Sequence, residues 1–390
     1  MRRHTTQPRP DWQKRVEQTG LTYHSMGGSP YWDESAYWEL SSAEVDLIEA
    51  ATSEIQRLCL AAGDHIVEKN RFAEMCIPPE AIPHIIETWE QEPPALYGRI
   101  DLAYDGNHLK LLEYNADTPT SLVEASVTQW CWLQDCFPQT DQFNSIHEKL
   151  IAKWRDLLPY IKQPVYFGYE PVEEDRITIE YLRDTANQAS LRSAAIAMHD
   201  IGWQAAANQF VDLGKQPMHT IFKLYPWETL LKDAFGPHAL AAMRQTQWIE
   251  PIWKMLWSNK ALLAILWELF PNHELLLPAF LDGPRDLGSY VRKPFFGREG
   301  ANVTVSPAAS PWNPPQAVTP KTRLSIRNTP TWPHLAEPMQ SSEVGSSTAN
   351  QQALASANPT ATSPPTPAAS SPIFSANRWQ SSNPPLTFYP

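Results

Sequence analysis

The chain has 390 residues, with 43 Asp and Glu against 31 Lys and Arg and a formal net charge of −12. That length allows two or three domains. The acidic balance argues against a general nucleic-acid binder, which carries a basic face, and leaves room for a cationic substrate such as a polyamine.

Residues 1–20 are polar and read as irregular, and MRRHTTQPRPDW has no apolar run behind its arginines, so it is not a secretory signal. Tyr23–Trp38 mixes aromatics with Gly, Ser and Pro, as a loop laid on the body does. Ser41-Ser42-Ala43-Glu44 is a capping box. Val45, Ile48, Ala51, Ile55, Leu58 and Ala62 follow at helical spacing, with Gly63 as the expected stop. Pro78–Glu90 predicts a second helix with Ile82, Ile85, Ile86 and Trp89 inward.

The next stretch carries the chemistry. Tyr97–Tyr104 and Leu109–Asn115 alternate as strands, joined across Asp105-Gly106-Asn107-His108, a hairpin signal because glycine accepts a positive φ. By parity, Arg99 and Asp101 share one face of the first strand, and Glu113 and Asn115 one face of the second. A loop with a bulge brings all four to the same side, leaving Ile100, Leu102, Leu112 and Tyr114 buried. Two carboxylates and an amide oxygen beside a guanidinium suit a hard cation shared with phosphates, the habit of Mg²⁺. The guanidinium would neutralise a developing anion. A solvated polar face is the competing reading at this point.

Leu122–Phe137 and Asn144–Leu158 read as helices, and Pro164–Gly168 as a short buried strand. Glu173-Glu174-Asp175 then leads into a helix from about Arg176 to Ser190, a strand–loop–helix unit of an α/β domain. Glu173 and Glu174 can bind a cation, yet an acidic first turn is also favoured by the helix dipole. Cys59, Cys76, Cys131 and Cys136 offer no second pair to match Cys131-x4-Cys136, so buried free thiols in a reducing compartment are expected. Trp203–Leu213 reads as strand and turn, and His219–Tyr225 as strand. Lys260 opens the apolar helix Ala261–Phe270, where its charge opposes the dipole. That helix is too short to span a membrane and carries Glu268, so the protein reads as soluble and cytoplasmic. In Tyr290–Val305 a strand with Lys293 enters a loop with Gly297 and Gly300 and leaves by Asn302–Val305. Such glycines let backbone N–H groups approach phosphates. From Ser306 onward Pro, Ser, Thr and Ala dominate without periodicity, a composition read as a disordered tail. Its prolines show no repeated basic-flanked PxxP pattern, against an adaptor role.

With YGRID at 97–101, LLEYNADTPTSLVE at 111–124, SNKALLAILWELFPNHELLLPA at 258–279 and KPFFGREGANVTV at 293–305, residues 12–305 resemble the glutathionylspermidine synthase family of ATP-grasp ligases. The chain looks most like the shorter bacterial members that lack an amidase half. The resemblance implies an α/β (α+β) fold: a pre-ATP-grasp region and an incomplete ATP-grasp region over 12–305, between an irregular stretch 1–11 and the tail 306–390. It implies ATP- and Mg²⁺-dependent amide ligation through an acyl phosphate. The substrates implied are a glutathione- or peptide-like acid and a polyamine-like amine, without nucleic acid or membrane partners. Arg99 would be catalytic and ATP-binding; Asp101, Glu113 and Asn115 would hold metal. Lys260, Lys293, Gly297 and Gly300 would bind ATP, and Glu173 and Glu174 the amine.

The tail departs from the family, which continues with GSW- and GIGIRE-type segments. Codons for Gly-Ile-Gly-Ile-Arg-Glu read one base late can spell Ala353–Asn358, and those for Ala-Val-Ile-Gly-Ser-Trp can spell Gln340–Gly345. The expectation is therefore an out-of-frame tail from near residue 306, an impaired ligase, and as alternative a non-catalytic nucleotide- or partner-binding chain.

Overall fold

The computed structural model describes residues 1–26, 28–297, 302–306, 324–328 and 373–375. Its centre is a parallel sheet of four strands in the order Gln247–Ile249, Thr220–Leu224, Val165–Tyr169, Ser193–Ala197. Alternation divides its side chains between two cores. Tyr166, Ile221 and Trp248 join one cluster, while Val165, Phe167, Phe222, Leu224 and Ile249 join the other. Burial on both faces explains why these strands read as nearly continuous apolar runs. The crossover between the two strands on that side is the helix Glu173–Gln188. It starts at Glu173, so the acidic triplet is its first turn, the arrangement the helix dipole favours.

The first core also holds the hairpin and the helix Ser42–Glu68. Ser41 Oγ accepts the Glu44 backbone N–H at 3.3 Å, and Glu44 Oε2 accepts the Ser41 N–H at 2.9 Å, closing the expected capping box. Gly63 does not end this helix. It lies inside it, where a Cβ would stand 2.1 Å from the Trp89 ring carried by the helix Ile82–Gln91. The glycine serves a close helix–helix approach, which one strand of sequence cannot reveal.

Other expectations are corrected at the N-terminus. Arg2–Thr5 is a strand, antiparallel to Ala36–Leu40 within the stretch read as loop, and Trp12–Gln18 is a helix. His4 stacks on Tyr37, with ring centroids 5.1 Å apart, and its Nε2 lies 2.6 Å from Glu39 Oε2. These partners lie more than thirty positions away, beyond any local pattern. The run 122–137 opens with a wide π-helical turn, Glu124–Thr128, before the α-helix Gln129–Cys136. Only Cys59 of the four free cysteines is buried; the others are half-buried at the edges of packed elements.

A second, antiparallel sheet has the order Ala279–Phe280, Leu324–Asn328, Tyr290–Pro294, Thr304–Ser306. Leu324–Asn328 therefore lies within the segment read as a tail, as does Ile373–Ser375, which pairs parallel with Ala36–Leu40. Leu324–Asn328 carries alternating apolar residues, Leu324 and Ile326, a short strand pattern inside a Pro- and Ser-rich background. Ser306 closes the strand before it, and the rest of that tail lies outside the described residues. Among the described residues no helix is long and apolar enough to cross a membrane.

Candidate active site on the hairpin

The hairpin pairs Arg99 with Asn115, Ile100 with Tyr114 and Asp101 with Glu113, and the register then shifts so that Leu102 faces Leu111. The extra residue is Leu112. The bulge thus sits within the strand, and Leu111 rather than Leu112 joins Ile100, Leu102 and Tyr114 in the core. The strand turns over at that point, and the four polar side chains above it share one face.

That face is a closed network. Arg99 donates Nε to Asp101 Oδ1 at 2.8 Å and Nη2 to Oδ2 at 3.2 Å. Asn115 Nδ2 bridges Asp101 Oδ2 and Glu113 Oε1, both at 3.2 Å. Lys293 Nζ donates to Glu113 Oε2 at 3.0 Å, and Lys260 Nζ stands 3.6 Å from the same oxygen. Lys260's misfit at its helix start has its compensation here, in a carboxylate from another element. Three cations thus gather around two carboxylates, and a third acid, Glu228, lines the cleft beside them. Burial pushes the Asp101 carboxyl up despite the guanidinium beside it. Burial also pushes Glu113 up, but Lys293 and Lys260 outweigh it and hold Glu113 well below the usual carboxylate range.

A small cleft beside the network is lined by Asn115, Thr118, Glu228, Ser258, Lys260 and Gly297. Gly297 is required by its own turn, since a Cβ there would meet Pro294 Cγ at 2.5 Å. Gly300, also expected to bind phosphate, lies outside the described residues. Among the described residues no group of three or more His, Cys, Asp or Glu is placed to hold a metal ion. Two carboxylates and an amide are what Asp101, Glu113 and Asn115 supply, a donor set that fits Mg²⁺ when phosphate oxygens complete it.

Glu173 is engaged elsewhere. Its Oε1 accepts from Thr22 Oγ1 at 2.5 Å and from Arg176 Nη2 at 2.8 Å, and these bonds lower its pKa to about 2. Glu174 follows it in the same first turn, close enough for its charge to help raise the Tyr23 phenol, whose shift comes first from burial and then from Glu124. Tyr23 and Tyr31 both donate to Glu124 Oε1, at 2.7 and 2.8 Å. Glu124 is a buried acid that motif reading quoted without singling out.

Sequence reading also missed what anchors the hairpin. At its exit, Asp117 pairs with Lys223 at 2.5 Å and accepts the Trp227 backbone N–H at 2.8 Å. At its entry, Glu250 accepts the Leu96 and Tyr97 N–H groups at 3.0 Å, and Lys254 pairs with Glu250 while donating to Tyr97 O at 2.8 Å. All four charged side chains are 0% exposed. Burial pushes both carboxyls up and both ammonium groups down, with the pairing in opposition. Ser258 Oγ accepts the Ala116 and Asp117 N–H groups at 3.0 and 2.8 Å. The available signals were a lysine inside the apolar strand TIFKL and another inside WKMLW, where an unpaired charge could not stay.

The family model described as glutathionylspermidine synthase preATP-grasp matches residues 3–314. A protein of Haemophilus influenzae named "putative acid–amine ligase" is 42% identical over 311 residues, covering 76% of this chain and 77% of that protein. The glutathionylspermidine synthase of Crithidia fasciculata is 25% identical over 302 residues, covering 67% of this chain and 42% of that protein. The bifunctional glutathionylspermidine synthetase/amidase of Escherichia coli is 26% identical over 296 residues, covering 68% and 47%. The match thus spans less than half the length of these last two relatives. By sequence, this protein, a mixed α/β chain, belongs to the glutathionylspermidine synthase preATP-grasp family, a family of ligases.

Proposed function

We propose that the chain is an ATP- and Mg²⁺-dependent acid–amine ligase that joins a glutathione- or peptide-like acid to a polyamine-like amine through an acyl phosphate. The observation that carries this reading is the hairpin face, where Arg99, Lys260 and Lys293 converge on Asp101 and Glu113 beside a cleft. Asp101, Glu113 and Asn115 hold the metal together with nucleotide phosphates. Mg²⁺ when bound supplies charge neutralisation at phosphate oxygens. Lys260 and Lys293 exchange Glu113 for those phosphates, and the backbone at Gly297 lets them approach; Gly300, read as a second such position, lies outside the described residues. Arg99 stabilises charge on the transferring phosphoryl group and on the oxyanion formed as the amine attacks. Glu174, and Glu173 once the amine displaces Arg176 and Thr22 from it, hold the cationic amine, with the carboxylate of Glu124 and its two tyrosines close by.

The test is Mg²⁺-dependent ADP release and amide formation by the full chain with glutathione and spermidine as probes. Arg99→Ala and Glu113→Ala are each expected to lower the rate about 10²–10³-fold, as loss of a charge-stabilising group does. Unchanged rates in both variants would remove the hairpin face from the chemistry.

A second reading, a chain that binds nucleotide without ligating, is favoured by one observation: the family match stops at residue 314. In it, nucleotide binds and hydrolysis is absent. Sequencing the gene across codons 295–390 separates the two, because a displaced reading frame there removes catalytic groups contributed from beyond the match.

A further inference from the structure

The buried pairs that anchor the hairpin hold a second element in place as well. Trp227 opens the short helix Trp227–Leu230 and is 0% exposed. Its backbone N–H donates to Asp117 Oδ2 at 2.8 Å, its Nε1 donates to Glu250 O at 3.0 Å, and Lys223 Nζ stands 4.8 Å from its ring centroid. Residues of both buried pairs therefore converge on this one side chain. The next residue is Glu228, 9% exposed, which lines the cleft beside the hairpin face. Burial raises the Asp117 carboxyl, Lys223 opposes that, and the charge of Glu228 adds to the rise, so this acid stands close to the buried pair.

Size and charge narrow what Glu228 can meet there. The cleft has a volume of about 10 Å³, room for one water-sized group. What enters is therefore the tip of a longer molecule, a single polar atom with its hydrogens. Among the described residues that line the cleft, Glu228 is the one acid and Lys260 the one base. In the reading above, phosphates draw Lys260 to the nucleotide, and the oxygens of Glu228, Thr118 and Ser258 remain. A carboxylate among hydroxyls suits a cation rich in donors, and a primary ammonium has three hydrogens to give.

The chemistry asks for such a tip at this place. Asn115 lines the cleft and also bridges Asp101 and Glu113, so the cleft opens beside the groups proposed to hold metal and phosphates. An amine that attacks an acyl phosphate must bring its nitrogen to the same spot. Asp101 and Glu113 are engaged there by Arg99 and Lys293. Glu173 and Glu174 belong to the helix Glu173–Gln188, and they account for the amine's hold on that element but not for its reacting end. Glu228 is placed to supply the carboxylate that this end needs.

We propose that Glu228 receives the ammonium of the amine substrate as it docks at the hairpin face, and that the two buried pairs aim it there through Trp227. This rests on the ligase reading. Isothermal titration of the full chain with spermidine, in the presence of Mg²⁺ and a non-hydrolysable ATP analogue, reads docking without turnover. Glu228→Gln, which keeps the shape, should weaken spermidine binding about 10- to 100-fold, the loss of one charged hydrogen bond. Glu228→Asp keeps the charge but draws it back by one methylene and should weaken binding by a smaller factor, so a measurement remains if the amide variant does not fold. In turnover, Glu228→Gln should raise the KM for spermidine by the same factor and leave those for ATP and glutathione within about twofold. A parent that binds spermidine through Glu228 yet releases no ADP would end the ligase reading alone. The proposal itself is overturned if the parent binds no spermidine or if both variants bind it as well as the parent. It is equally overturned if the variants instead raise the KM for glutathione or the Mg²⁺ requirement, which would give the carboxylate to the acid substrate or to the metal.

Discussion

The hairpin is held by charge twice over, and the two sets differ in what surrounds them. At its roots, Asp117–Lys223 and Glu250–Lys254 are 0% exposed, and every interaction described for them is with protein. On its face, Asp101 and Lys293 are 1% and 3% exposed, but their partners Arg99 and Glu113 keep 15% and 12% exposure beside the cleft that Lys260 lines. A buried pair gives up so much hydration that its attraction does little more than compensate. What the roots gain is definition: Glu250 fixes two backbone N–H groups at the entry, and Asp117 reaches across to Trp227 at the exit. The face keeps one partly exposed member in each pair and borders a cleft, so Arg99 and Glu113 are placed to exchange partners. Similar residues therefore position the strands in one place and are available for a ligand in the other.

The largest expected effect breaks the roots. Lys254→Met leaves Glu250 buried and unpaired and should destabilise the protein by about 3–5 kcal/mol. Adding Glu250→Met removes that orphan charge but strands the Leu96 and Tyr97 N–H groups, so the double variant should recover only part of the loss. Urea unfolding of the two variants and the parent measures this. Full recovery in the double variant would mean that the backbone contacts of Glu250 contribute nothing, and the contrast between roots and face would lose its basis.

A smaller effect concerns the wall behind the roots. Trp89 fills the gap over Gly63 and meets Trp253 edge-on at 5.3 Å, next to Lys254 in the chain. Alanine is favoured over glycine inside a helix by about 1 kcal/mol. A Cβ 2.1 Å from the indole reverses that sign, since overpacking costs about 1–3 kcal/mol. Gly63→Ala should lower the unfolding midpoint; a raised midpoint would show that the indole moves aside freely.

Gly63 also marks where the sequence stops being legible. Periodicity located the helix, the hairpin and two strands of the parallel sheet, Val165–Tyr169 and Thr220–Leu224, because each is dictated by which residues must leave water, while Ser193–Ala197 and Gln247–Ile249 went unread. Parity brought Arg99, Asp101, Glu113 and Asn115 to one face, and the register agrees, although the bulge buries Leu111 in place of Leu112. Lys260 and Lys293 were singled out, but their common partner Glu113 depends on how distant elements meet. Asp117, Glu250 and Lys254 were missed for the same reason: a charge inside an apolar run signals a partner without naming it. Arg2–Thr5 read as irregular because its partner strand, Ala36–Leu40, lies far along the chain.

The smallest effect completes the comparison at the exposed extreme. Glu173 and Arg176 pair at 2.8 Å with side chains 48% and 47% exposed, one turn apart on a helix. Water screens such pairs, and Arg176→Ala should cost only about 0.3–0.5 kcal/mol. The pH dependence has a definite sign. The hydrogen bonds from Arg176 and Thr22 depress the folded-state pKa of Glu173 to about 2, against about 4.3 in an unfolded chain. Its contribution is therefore complete above the unfolded value and is lost as pH falls toward 2. Glu173→Gln should unfold at slightly lower urea than the parent at pH 7, and this gap should shrink by pH 3. A gap that stays constant would mean that shape rather than charge holds Thr22 to this helix. A gap as large as that of Lys254→Met would end the ranking by burial, because an exposed pair would then match a fully desolvated one.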